Sequence, residues 1–181
     1  MAIGGVAGPA TFSAFSGTTT NGGNSFTAGT VALSDNDAGA SMLTLSNAKP
    51  GDSVTGCIRI TYTGRLASTI RLYANTTGSL GQYLDLVVTQ GTNPGGFGSC
   101  GSFSPDGTNY IGHGNGVVYS GTVSAFPASY AAGLVDPTSG SPATWNQNDA
   151  HWYRFVVTLQ NNDAAQGLSG TAGFTWEARN Q

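Results

Sequence analysis

The chain has 181 residues, enough for one domain with a full core. Charged residues make up 8% of it against about 25% in an average soluble protein, glycine contributes 28 residues, and the net charge is −3. A hydrophobic fraction of 39% excludes a disordered chain, and the lack of any basic cluster argues against a nucleic-acid partner. Lys49 is the only lysine and Glu177 the only glutamate, so long amphipathic helices lack the residues their solvent faces use.

The first stretch, Met1 to Ser16, is small, apolar and uncharged. It is too short for a membrane span and reads either as a signal-peptide remnant or as a retained extended arm. In the second case Ile3, Val6, Phe12 and Phe15 are the side chains that would fill a groove elsewhere. Gly17 to Asn24 has the composition of a flexible linker. This gives an arm and linker over residues 1–24 and a single β-sandwich domain over residues 25–181.

Ser25 to Ser34 reads as a first strand, with Phe26, Val31 and Leu33 as its apolar contacts. Asp35 to Gly39 follows as a turn. Its Asp35 and Asp37 have the spacing that opens a calcium loop but lack the distal bidentate glutamate, so an Asx turn is the simpler reading. Ser41 to Ser46 is predicted as a short strand around Leu43 and Leu45. The Pro50-Gly51-Asp52 turn then leads into a strand in which Ile58, Ile60 and Tyr62 alternate with polar residues.

Further strands are predicted at Ser68 to Ala74, Tyr83 to Thr89 and Val117 to Ala125. Gly91 to Gly116 is a long glycine-rich region holding Cys100. Phe126 to Leu134 suggests a helical turn or two, and Asp136 to Asp149 a loop containing Trp145. The strongest alternation is Trp152 to Leu159, with Tyr153, Phe155, Val157 and Leu159 inward. Gly170 to Arg179 closes the set with Phe174, Trp176 and Ala178 on one face. Roughly eight strands and no helix of length imply an all-β fold, an antiparallel β-sandwich of jelly-roll or immunoglobulin type.

Cys57 and Cys100 form no CxxC pair and no Cys/His cluster. In a Ser/Thr/Gly-rich, lysine-poor chain they read as one disulfide of a secreted protein. The alternative is a pair of reduced, buried thiols.

Three segments resemble the TasA/camelysin family of secreted bacterial proteins: FSAFSGTTTNGGNSFTAGTVALS, LTLSNAKPGDSVTGCIRITYTG and WYRFVVTLQNNDAAQGLSGTAGFTWEARNQ. The resemblance covers both ends and the first third of the chain. It implies a jelly-roll-like extracellular subunit of biofilm-matrix or cell-surface fibres. In that family the N-terminal segment serves as a donor strand for the next subunit, so the partners implied are further copies of this chain. The donor role would fall on Ile3 to Phe15. The end Asn180-Gln181 shows no sorting motif, so the expected polymer is non-covalent.

No catalytic constellation stands out. The chain has no HExxH, no GxSxG and a single glutamate, and no cofactor is implied. His113 and His151 lie far apart and neither falls in a metal-ligand motif. The Asn75-Thr76-Thr77 sequon reads as an ordinary turn. Trp145, Trp152 and Trp176 suggest the alternative function, a secreted carbohydrate-binding or adhesive module that takes matrix polysaccharide. Trp176 is in phase with core residues, and Trp152 is out of phase and exposed.

Overall fold

A computed structural model describes residues 16–20, 24–25, 32–136 and 144–180. Ile3, Val6, Phe12 and Phe15 lie outside the described residues, as do Phe26 and Val31.

Five long strands carry the fold, each turning alternate apolar residues toward the core. They are β4 (Ser53–Tyr62), β5 (Ser68–Gly78), β6 (Leu84–Thr92), β11 (Ala150–Leu159) and β12 (Gly170–Asn180). Their inward residues are the apolar set of the alternation: Ile58, Ile60 and Tyr62; Ile70, Leu72 and Ala74; Leu86 and Val88; Tyr153, Phe155 and Val157; Phe174, Trp176 and Ala178. Period-2 burial of this kind requires a second layer, because one sheet cannot cover its own apolar face.

Two antiparallel sheets supply those layers. The first runs β10 (Thr144–Trp145), β5, β12, β1 (Ser16–Thr20), β2 (Asn24–Ser25), with β9 (Leu134–Val135) also paired to β5. The second runs β3 (Leu33–Asp35), β4, β11, β6, β7 (Ser104–Pro105), with β8 (Val117–Thr122) also paired to β6. β5 and β12 pair along their whole length, from Ser68 opposite Asn180 to Gly78 opposite Gly170. β4, β5 and β6 alternate between the sheets, so the chain closes an all-β sandwich.

Aromatic rings join the layers. Phe155 lies 4.6 Å from Phe174 and 6.0 Å from Trp176, and Tyr153 lies 5.5 Å from Trp176, all between ring centroids. Each such buried side chain stabilises the fold by about 1.5–3 kcal/mol. The Tyr62 hydroxyl pins the β4–β5 turn, bonding Ser68 Oγ at 2.8 Å and donating to the Leu66 carbonyl.

Cys57 and Cys100 form a disulfide with a Cα–Cα distance of 5.5 Å. It holds the glycine-rich region against the outer face of the second sheet. There the Gly98 N–H donates to the Cys57 carbonyl at 2.8 Å, and the Arg154 guanidinium stacks over Phe103 at 4.8 Å. Gly91 permits the close approach of β7: a Cβ at that position would lie 2.1 Å from the Ser104 carbonyl oxygen.

Several segments differ from the sequence reading. Ser16–Thr20, the last residue of the stretch read as arm and the first four of the stretch read as linker, is a strand of the first sheet. Ser41–Ser46 forms no strand, because Met42 turns into the core above Gly56, a residue with no side chain of its own to fill that space. β8 ends at Thr122, where Val123–Ala125 tightens into a 3-10 turn that buries Val123. Trp145, placed by sequence in a loop, sits in β10 and is 1% exposed.

Candidate functional site

β12 is covered unevenly. β1 pairs with its second half only, from Ser16 opposite Arg179 to Thr20 opposite Thr175, and β2 then folds back onto β1. Gly170 to Phe174 therefore have β5 on one side and no described strand on the other. Such an edge presents unpaired N–H and C=O groups.

A cleft of about 350 Å³ opens beside this edge, between the two sheets. Gly170, Thr171, Ala172 and Phe174 form one wall. Val54, Leu84 and Val157 of the second sheet face them, and Ser41 to Leu45 cross the opening. No charged side chain lines it. Small residues on the inward face at the head of β12, Gly170 and Ala172, leave the space that larger side chains fill further along the strand. An open backbone edge next to an uncharged apolar slot fits an extended peptide whose alternate side chains point inward.

The opposite end of the sandwich is polar and braced. The His151 ring on β11 pairs through Nδ1 with Asp136 Oδ2, just past β9, and lies 2.9 Å from Gln90 Nε2. Trp145 covers the imidazole with ring centroids 4.3 Å apart. Burial by itself would lower the histidine pKa, but the hydrogen bond and charge of Asp136, with Asp106 and Asp149 behind it, raise it above the ordinary value. This pair links the two sheets. It escaped the sequence reading because Asp136 and His151 sit on different elements.

On the outer face of the first sheet the single glutamate is nearly buried. Glu177 accepts from Arg179 Nε at 2.7 Å and from the Tyr73 hydroxyl at 2.9 Å, and Arg179 stacks on Tyr130 at 3.8 Å. Burial and that hydrogen bond push the Tyr73 hydroxyl up to about 12. Every polar atom named here is matched within the fold, which marks a structural cluster.

The Asp35 and Asp37 carboxylates serve the chain's own backbone. Asp35 Oδ1 accepts from the Asp37 N–H at 3.3 Å, and Asp37 Oδ1 from the Gly39 N–H at 2.7 Å. Burial raises the Asp37 pKa against the lowering effect of the Gly39 bond. Among the described residues no three His, Cys, Asp or Glu side chains gather as metal ligands. The tryptophans are not brought together on a surface: Trp145 and Trp176 are each 1% exposed, and half-buried Trp152 lies on the outer face opposite Arg59. Asn75 to Thr77 continue β5 and do not turn.

The cleft itself was missed in the sequence. A weak signal for it exists in the run Ser169 to Gly173, SGTAG, where a strong strand begins without large side chains. No protein-family model and no curated protein matches this chain. Among solved structures, one described as "Structure of infectious bursal disease virus Gx strain" is similar at a TM-score of 0.31 and 12% identity. The match covers 98% of this chain and 36% of that one, so this chain spans about a third of its length. At that TM-score the likeness carries no argument.

Proposed function

We propose that this chain is the subunit of a non-covalent extracellular filament, in which the N-terminal arm of one copy enters the cleft of the next. The observation that carries the reading is the placement of the two ends. The cleft flanks Gly170 to Phe174, whereas the chain enters β1 at Ser16, opposite Arg179. From Ala172 to Arg179 β12 covers about 24 Å at roughly 3.4 Å per residue. Ser16 thus stands at the end of β1 away from the cleft of its own sandwich. A strand placed in line with β1 would pair with the open half of β12 and send alternate side chains into the slot. Of its apolar residues, Val6 and Phe12 share one face of an extended strand and Ile3 and Phe15 the other, so either pair supplies side chains for the slot. Head-to-tail contacts generate open filaments when the rotation between copies does not close a ring.

The resemblance to the TasA/camelysin family points the same way, and the disulfide suits a subunit used outside the cell. Electron microscopy of the purified full-length chain tests the reading. Filaments are expected from the native sequence. Ala172→Arg, which puts a charge at an exposed position lining the cleft, is expected to give folded monomers only. Removal of Met1 to Ser16 is expected to do the same. Filaments from both altered chains would overturn the proposal.

A further inference from the structure

The segment Ser41–Ser46 has an unusual position. Its sequence, SMLTLS, reads as a strand, yet it makes no ladder. It lies in the mouth of the cleft, where Ser41 to Leu45 form part of the lining. Met42 is 9% exposed and belongs to the core, with Leu43 packed against it. Gly56, an inward position of β4, makes room for both. A Cβ there would lie 2.5 Å from Met42 Cγ, 2.8 Å from the Met42 carbonyl oxygen and 3.1 Å from Leu43 Cδ2.

Two apolar side chains thus hold this strap in the space between the sheets, and among the described residues it makes none of the ladder hydrogen bonds that fasten the neighbouring strands. An element anchored in this way belongs to the low-stability end of a fold. The space that Met42 and Leu43 occupy adjoins the slot an inserted strand would fill from the β12 side.

We propose that Ser41–Ser46 is a self-capping strap, whose Met42 and Leu43 fill the mouth of the cleft in the free subunit and leave it when a strand from another copy enters. This rests on the reading of the cleft as a strand acceptor. The strap shields apolar surface before assembly, and its release sets a threshold for assembly. Its weak backbone fastening makes the exchange feasible: side-chain contacts are given up and replaced in kind, while the entering strand adds a ladder with β12.

Met42 is its own reporter, since Met1 is the only other methionine. Monomers and filaments of the full-length chain are exposed to dilute hydrogen peroxide, and the sulfoxide at Met42 is followed by peptide mass spectrometry. Oxidation at least 10-fold faster in filaments is expected. Filaments in which Met42 oxidises no faster than in monomers would overturn the strap while leaving the filament reading intact. Failure of the full-length chain to form filaments would bring down that reading and the strap with it. Gly56→Ala in the full chain gives the converse test, because its methyl group expels Met42. Rapid Met42 oxidation in the monomer and filaments at a concentration at least 10-fold lower are expected. Rapid oxidation with impaired assembly would overturn the proposal. Should this variant not fold, the comparison on the native chain decides alone.

Discussion

His151 shows how one side chain acquires its role from partners that are distant in the sequence. On β11 it is an ordinary strand residue at the end of an alternating run. Packed against Asp136, with Asp106 and Asp149 nearby and Gln90 and Trp145 against the ring, it becomes a cross-sheet tie. Because its pKa is raised in the folded state, its contribution is complete below the unfolded value of about 6.5 and fades as pH climbs through the folded value. The melting temperature of the native chain is therefore expected to fall as pH rises above about 6.5. In His151→Gln that slope should flatten, and an unchanged slope would assign the pH dependence to other groups. Asp37, whose carboxyl is raised by burial, has the same sign but acts in the acid range.

The glycine-rich region after β6 illustrates how an element without its own core is kept in place. A loop this long, rich in glycine and carrying few apolar residues, has little burial with which to offset its conformational entropy. The disulfide supplies the restraint, closing 43 residues of sequence separation. In the chain-entropy model a link of that span stabilises the fold by about 4 kcal/mol. Replacing both cysteines by serine should lower the unfolding free energy by roughly that amount, measured by guanidinium titration. A loss below about 1 kcal/mol would mean that the Phe103–Arg154 stack and the Gly98 hydrogen bond hold the loop unaided. Cys57 was legible as half of a disulfide from composition and cysteine count. The strap was not legible, because Ser41–Ser46 has a strand pattern and only the gap at Gly56 turns it inward.

The molecule as a whole is nearly uncharged where it is proposed to polymerise. The cleft has no charged lining, and Met1 to Ser16 carry no charged side chains. Apolar burial and backbone pairing would then drive assembly, and salt screens neither of them strongly. The critical concentration for filaments, followed by sedimentation, should change less than about threefold between 0.05 and 1 M sodium chloride. A large rise with salt would indicate an electrostatic contact outside the cleft.

Alternation in the long strands, the scarcity of lysine and glutamate and the pair of cysteines were enough to identify an all-β sandwich with a cross-link. These signals are local, since period-2 burial is written into each strand's own residues. Tyr153, Phe155 and Val157, and Phe174, Trp176 and Ala178, lie inward where their spacing places them. Only the tertiary structure decided which part of β12 has no described strand beside it, because pairing partners come from distant parts of the chain. That β1 covers Thr175 to Arg179 and stops short of Gly170 to Phe174 is a matter of register between residues more than 150 positions apart. The same holds for the Asp136–His151 tie, for Trp145 in the interior and for Met42 above Gly56. Each depends on which surfaces meet across the two layers, and no single segment contains that information.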